Sequence, residues 1–348
     1  MKTNHILLTA ALLLCAASCT KEATEIPDTN DDNTLYPVTF SGGIDLVQTK
    51  GEDNNTTLMR KDVKAKVYVY KNTETVTNVS SPVNKEYKVG NNGDLSIGAS
   101  DTIYLAKDTY NFYAVSTDSI TESTGASFPT FTSGVSAELS NGFNYLWAKS
   151  ESKAITGTPD KQNVALNFER KAVKIVINIE SGTNNGITLK GWMPSGDSAK
   201  ITPPKIPSPN SSNLCKMTLS TGVIAPATSV DADNPVKMTC GEVAENKATV
   251  SYIMLPLIDA TGTPVPTVTL RVKVQNTGES EDGGERTYTT QLKYPSGGFE
   301  SGKQYTYTAT LKANGITFTG ATVADWTDGT LGDGGGNLTP TEPDNVGS

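Results

Sequence analysis

The chain has 348 residues, 29 Lys+Arg against 37 Asp+Glu, a formal net charge of −8 and one histidine. The acidic balance argues against nucleic acid as a partner, because its phosphates would be repelled. The one histidine, His5, lies in an N-terminal segment that we expect to be removed. Without it, Ser-His-Asp, Cys-His and His-ligated zinc sites cannot form, so we expect neither an enzyme nor a cofactor.

Residues 1–18 have the pattern of a lipoprotein signal peptide. A mostly apolar run from Ile6 to Ala17 follows Lys2 and is too short to span a bilayer. Small residues at 16–18 stand directly before Cys19, as in a bacterial lipobox. We therefore predict that Cys19 is lipidated and attaches the chain to the outer membrane. An ordinary secretory signal is the alternative, and in both cases the chain leaves the cytoplasm.

The next segment, residues 19–35, is acidic and lacks hydrophobic periodicity, which predicts a solvated tether. From Tyr36 onward the sequence alternates repeatedly with period two, as in VKAKVYVYK (63–71) and QYTYTATLKA (304–313). Turn-forming stretches such as GNNGD (90–94) separate these runs. Short, regularly spaced strands of this kind predict an all-β protein built from β-sandwiches.

Two sandwich domains are predicted, over residues 36–160 and 161–326. The boundary is placed in KAITGTPDKQN (153–163), where Gly, Pro and charge separate two strand-like runs. Residues 327–348 are rich in Gly and Pro without an apolar pattern, so we expect a flexible tail.

Other candidate sites are few. Cys215 and Cys240 could form a disulfide that contributes on the order of 3 kcal/mol, or could remain two buried free thiols. The acidic turns at 231–234 and 332–337 lack the ligand spacing of calcium loops, so no metal site is predicted. Six aromatic side chains could stack on sugars, although aromatics on alternating strands more often belong to the core. They are Trp147, Trp192, Trp326, Tyr104, Tyr110 and Tyr113.

Five segments, in this order, resemble the fimbrillin-like lipoproteins of Gram-negative anaerobes. They are YPVTFSGGI (36–44), VQTKGE (47–52), VALNFERKAVKIVINI (164–179), YIMLPL (252–257) and FESGKQYTYTATLKANGITFTGATVADW (299–326). The resemblance implies two transthyretin-like β-sandwich domains and a stalk, tip or anchor subunit of a pilus. It also implies surface assembly by strand exchange with other pilin subunits, and contact with host or bacterial surface ligands. A surface lipoprotein that binds glycans is the alternative.

The resemblance further implies that a trypsin-like protease cuts after a basic residue beyond the first strand. The candidates are Lys50 and Arg60, with Lys61 directly after. The first strand is predicted over residues 37–47, and its apolar residues are expected on one buried face. They are Val38, Phe40, Ile44 and Leu46. Because residues 327–348 lack strand pattern, a donated strand would have to come from GITFTGATVADW (315–326).

Overall fold

A computed structural model describes most of the chain from residue 34 to residue 326. The described ranges are 34–45, 56–59, 61–77, 83–90, 93–96, 102–117, 128–158, 161–181, 184, 186–193, 198–208, 212–259, 264–278, 284–295, 297–313 and 315–326. These ranges consist of strands and connections, without an α-helix. Nowhere in them is there a helix with the length and hydropathy needed to cross a membrane.

Eleven strands precede residue 171. They are β1 (Tyr36–Asp45), β2 (Thr56–Leu58), β3 (Lys64–Lys71), β4 (Val83–Val89), β5 (Asp94–Ser96), β6 (Ile103–Leu105), β7 (Asp108–Ser116), β8 (Phe131–Thr132), β9 (Val135–Ser136), β10 (Leu146–Ile155) and β11 (Gln162–Arg170).

Thirteen strands follow. They are β12 (Val173–Glu180), β13 (Ile187–Trp192), β14 (Ala199–Ile201), β15 (Val236–Lys237), β16 (Thr239–Cys240), β17 (Lys247–Met254), β18 (Leu257–Ile258), β19 (Thr267–Asn276), β20 (Gly284–Gln291), β21 (Gly298–Phe299), β22 (Lys303–Lys312), β23 (Gly315–Phe318) and β24 (Thr322–Asp325).

The first sheet closes on itself around a core of its own. Its strand order is β11-β10-β7-β3-β4-β5-β1-β2, with β6 also on β1, and β1 pairs back onto β11. The enclosed face arises because side chains alternate between the two faces of each strand. Along β11, every second residue from Gln162 to Arg170 is buried and the residues between them are exposed. The enclosed core includes Phe112, Leu166 and Phe168.

The later strands form two sheets that share a second core. One has the order β16-β17-β12-β22, with β23 and β24 on the outer side of β22, and the other is centred on β19, between β20 and the pair β13 and β14. Ile177 from the former and Leu270 from the latter belong to the same buried cluster. The all-β, sandwich-like fold expected from the sequence is therefore confirmed.

The predicted boundary near residue 160 does not separate the sheets. Strand β11, expected to open the second domain, pairs with β1 and β10 in the first sheet, so the chain leaves that sheet only after Arg170. Residues 156–161 of the predicted boundary connect β10 to β11, which are adjacent antiparallel strands, and the rest of 153–163 belongs to these strands. Gly, Pro and charge indicate a turn, but they do not distinguish a turn within a sheet from a linker between domains.

The two parts are also joined by shared packing. Tyr68, Val115 and Trp147, from the outer face of the first sheet, belong to the second core. The Trp147 Nε1–H group donates a hydrogen bond of 2.7 Å to the Leu219 carbonyl oxygen. A Cβ atom added to Gly222, whose φ is +67°, would lie 2.4 Å from the Trp147 ring. The chain from Leu35 onward is accordingly one compact unit.

Candidate functional site: the first strand and its groove

Strand β1 is held along both edges. On one side it runs parallel to β11, with Val38 opposite Gln162 and Phe40 opposite Val164. On the other side it pairs antiparallel with β6, β5 and β2 in turn. Removing β1 would therefore open the closed sheet and leave unpaired backbone groups on both sides of one groove.

The inward face of β1 fills the first core. Val38 and Phe40 are 1% and 2% exposed, whereas Thr39 and Ser41 between them are half-buried. The Phe40 ring makes edge contacts with Tyr87 and Phe112, at centroid distances of 5.1 and 5.7 Å. The side chain of Ile44 and all of Leu46 lie outside the described residues.

Gly42 is a close-packed position that the sequence reasoning missed. Its N–H group donates to the Gly93 carbonyl oxygen at 2.9 Å. A Cβ atom at Gly42 would lie 3.4 Å from each of three atoms, the Gly93 oxygen, Leu95 Cδ2 and Met59 Sδ. An alanine would fit there with close contacts, and the further atoms of a larger side chain would require Leu95 or Met59 to move. A glycine inside an otherwise alternating strand is the available sequence signal for such a close approach.

The two predicted cleavage residues, Lys50 and Arg60, lie outside the described residues, but the strands beside them are defined. Strand β2 pairs antiparallel with β1 through residues 43–45, so residue 50 belongs to the connection between these strands. A cut there would separate β1 from β2. A cut after residue 60 would also detach Met59, which is 2% exposed. Cys19 also lies outside the described residues.

The C-terminal segment 315–326 forms one edge of the second core's sheet. Strands β23 and β24 pair with successive halves of β22. Their side chains are half-buried or exposed, and among residues 315–326 only Trp326 is buried, at 4% exposure. The Trp326 ring lies 5.0 Å from the Arg170 guanidinium carbon and 5.7 Å from Lys174 Nζ. Trp326 is thus the one side chain of this segment that is held by burial and by cation–π contacts, whereas the rest of the edge is largely exposed.

The six candidate sugar-stacking side chains do not form a platform. Trp147, Trp326, Tyr110 and Tyr113 are buried, at 3–5% exposure. Trp192 is half-buried, and its Nε1–H group donates to the Gly241 carbonyl oxygen at 2.7 Å. Tyr104 alone of the six is exposed, at 53%.

The two described cysteines are free thiols and not a disulfide. Cys215 is buried and its Sγ lies 3.9 Å from the Lys205 carbonyl oxygen, whereas Cys240 is half-buried on β16, 3.8 Å from the Met238 carbonyl oxygen. Burial raises the pKa of the Cys215 thiol to about 11. Within the described residues, no group of three or more His, Cys, Asp or Glu side chains is placed to hold a metal ion.

Comparison with solved structures identifies the fold. A candidate cell adhesion protein from Bacteroides ovatus matches with a TM-score of 0.55 at 19% identity, covering 86% of this chain and 100% of that chain. One from Bacteroides uniformis matches with a TM-score of 0.52 at 18% identity, covering 84% and 99%. The fimbrial anchor protein Mfa2 from Porphyromonas gingivalis matches more loosely, at 0.37 and 8%, covering 84% and 98%.

A comparison with curated proteins found no match. The model of the fimbrillin-like family, in contrast, matches residues 49–326, which is most of the chain. This match confirms the resemblance to the family, and its span contains the segments at 164–179, 252–257 and 299–326 in full. The chain belongs to the fimbrillin-like family.

Proposed function

We propose that this protein is a structural subunit of a cell-surface fimbria, serving as stalk, tip or anchor. It is exported as a lipoprotein through Cys19, held at the outer membrane, and processed by a trypsin-like protease at Lys50 or Arg60. Subunits then join when a strand from one copy, or from a related pilin, replaces β1 of the next. Family membership supports the fimbrial role, and the two-sided pairing of β1 supports the exchange step.

The observation that carries the exchange step is a likeness between β1 and the C-terminal segment. Residues 38–43 read Val-Thr-Phe-Ser-Gly-Gly, and residues 316–321 read Ile-Thr-Phe-Thr-Gly-Ala. Both stretches have the same order of residue types. Each begins with a β-branched apolar residue and continues with Thr, Phe, a hydroxyl residue, Gly and a second small residue. In the β1 groove, residues 316–321 of a second copy would place Ile316 and Phe318 where Val38 and Phe40 now lie.

The glycine at the fifth position of both stretches, Gly42 and Gly320, supports the register that places Phe318 at the position of Phe40. Gly42 occupies a position with little room for a side chain. Gly320 is exposed, has no positive φ, and a Cβ atom there would meet nothing within 4 Å. Its present surroundings therefore do not require glycine. In the groove, at the position of Gly42, it would meet the same restriction as Gly42.

A second Thr-Phe-Thr sequence, at 130–132, fits the groove less well. Pro129 precedes it, where β1 has Val38, and proline cannot donate a backbone hydrogen bond. Ser133 stands where β1 has Gly42. The segment also forms only the two-residue strand β8, whereas 316–321 begins within an edge strand.

Residues 315–321 can leave their present place at a modest cost in free energy. Strand β23 pairs with β22 along one edge, through residues 315–318. Ile316 and Phe318 are half-buried, and the Phe318 ring lies 6.4 Å from that of Tyr307. In the β1 groove, the same two side chains would be fully buried and both strand edges paired. Once β1 has been released, insertion of this segment into the empty groove is therefore favoured by added burial and added hydrogen bonds.

The processing step is tested by adding trypsin to the mature chain and to the Lys50→Ala, Arg60→Ala and double variants. We expect ladders of subunits that resist mild detergent, and their loss in the double variant. A triple variant with Lys61→Ala covers the neighbouring cation, and Lys247→Ala, an exposed cation elsewhere, is the matched control. Ladders that persist undiminished in the triple variant contradict the proposed cleavage sites. Absence of ladders in every form contradicts propagation and favours a terminal subunit or glycan binding.

The register is tested separately with Gly320→Val. This variant should fold normally, because its surroundings are open, yet it should form fewer ladders, because valine at the position of Gly42 would press on Leu95 and Met59. Gly284→Val is the control, since a Cβ atom at Gly284 also meets nothing within 4 Å. Normal ladders from Gly320→Val, or equal loss from Gly284→Val, would show that residues 316–321 do not enter the groove in this register.

A further inference from the structure

The end of the first sheet where β1 begins carries an apolar surface patch. Leu35 is 56% exposed and Tyr104 is 53% exposed. In the pairing of β1 with β6, Pro37 lies opposite Tyr104. Directly opposed side chains in an antiparallel pair share a face, so Pro37 and Tyr104 lie on the same face, and Leu35 is an exposed residue just before the strand begins. Leu35, Pro37 and Tyr104 are here called the entry patch.

Cations flank the entry patch although the chain as a whole is acidic. Lys107 is exposed, and its Nζ lies 5.9 Å from the centre of the Tyr36 ring. Lys161 is also exposed and directly precedes Gln162, which lies opposite Val38 in the parallel pair. The nearby carboxylate of Asp108 pairs with Lys71 at 3.3 Å. Two exposed lysines thus lie at this end of the sheet, next to a tether, residues 19–35, that is itself acidic.

We propose that the entry patch lies against the membrane surface and orients the uncut subunit on it. The inference rests on the proposed attachment of Cys19 to lipid. Residues 19–35 span at most about 60 Å when fully extended, so a lipid at Cys19 limits the distance between the patch and the bilayer to about that length. Tyrosine, leucine and lysine are the side chains that favour the membrane–water interface and its anionic headgroups. A lipid anchor alone limits the distance of the protein from the membrane, and a second contact is needed to fix its orientation.

The position of the entry patch links orientation to processing. Leu35 and Pro37 belong to the N-terminal side of the proposed cleavage sites, whereas Tyr104 belongs to the body. A cut at Lys50 followed by loss of β1 removes the tether and divides the patch. The membrane contact is therefore a property of the uncut subunit, and processing releases the body from both attachments at once.

The test uses the mature chain with Cys19→Ser, which carries no acyl group, and vesicles of phosphatidylethanolamine and phosphatidylglycerol. Sedimentation with increasing lipid gives a partition coefficient. We expect Leu35→Ser combined with Tyr104→Ser to lower it about tenfold, from the interfacial preference of the two side chains. Val223→Ser is the matched control, because Val223 is an apolar residue of the second part of the chain with 58% exposure. It should leave partitioning unchanged.

The contribution of the two lysines is tested by reversing their charge. Lys107→Glu combined with Lys161→Glu should weaken binding of the protein to anionic vesicles at low salt. Three results would overturn the proposal: no binding by the unaltered chain, equal binding by the serine double variant, or an equal effect of Val223→Ser. A dimer that the serine double variant abolishes, without vesicle binding, would identify the patch as a subunit contact instead. Lipid attachment is tested separately, because Cys19→Ala in the full precursor should release the protein into soluble fractions.

Discussion

Replacing Phe40 with alanine should weaken the hold of the first sheet on β1 without changing its backbone pairing. Phe40 is 2% exposed and contacts the rings of Tyr87 and Phe112. Truncating a buried phenylalanine to alanine costs about 3–5 kcal/mol, from lost transfer free energy and the cavity left behind. This corresponds to a change of about two to three and a half orders of magnitude in the equilibrium for strand release.

The assay measures strand release after the connection between β1 and β2 has been cut. Size-exclusion chromatography at increasing urea separates the N-terminal fragment from the body, and mass spectrometry identifies both. We expect Phe40→Ala to release the fragment at much lower urea than the unaltered chain. Ser41→Ala is the control on the same strand, because Ser41 is half-buried and its Oγ accepts a hydrogen bond of 3.4 Å from Asn163 Nδ2. Its effect should stay below about 1 kcal/mol.

Release of the fragment at the same urea concentration in both variants would refute the reasoning. It would mean that backbone pairing with β11, β6, β5 and β2 holds β1, and that the buried side chains contribute little. Exchange would then be governed by hydrogen-bond pairing, and the likeness between residues 38–43 and 316–321 would not decide which strand enters.

Three other predictions concern the body of the protein. Gly222→Ala should lower the melting temperature more than Gly278→Ala, because both positions have a positive φ but only the Gly222 Cβ would strike the Trp147 ring; equal losses would contradict this. Burial raises the pKa of Tyr252 from 10.0 to about 12, so the folded chain binds this proton more tightly than the unfolded chain. The resulting stability is fully present below about pH 10 and is lost as pH rises toward about 12, and Tyr252→Phe should make the fall in melting temperature shallower. At about pH 8, iodoacetamide should label native Cys215 far more slowly than the unfolded chain, and equally fast labelling would show that the thiol is accessible.

Local patterns in the sequence were sufficient to predict which segments form strands and which face of β1 is apolar. Alternation with period two depends on neighbouring residues only, so Val38 and Phe40 could be placed on one face without knowing what covers it. The family resemblance came from the order of five segments along the chain, which is also a property of the sequence alone.

The identity of each strand's partner could not be predicted in this way. The assignment of β11 to the first sheet depends on its parallel pairing with β1, more than 120 residues earlier in the chain, for example of Thr39 with Asn163. The Thr39 hydroxyl group also donates a hydrogen bond to the Gln162 carbonyl oxygen. A connection such as residues 156–161 has the same kind of composition within a sheet as between domains.

Burial of the large aromatic side chains was also decided by tertiary packing. Trp147 lies on the outward face of its own sheet and is buried only because residues near Gly222, in a distant part of the chain, pack over it. Strand period determines the face on which a side chain lies, but the free energy of packing against distant segments determines whether that face meets water or another layer of the protein.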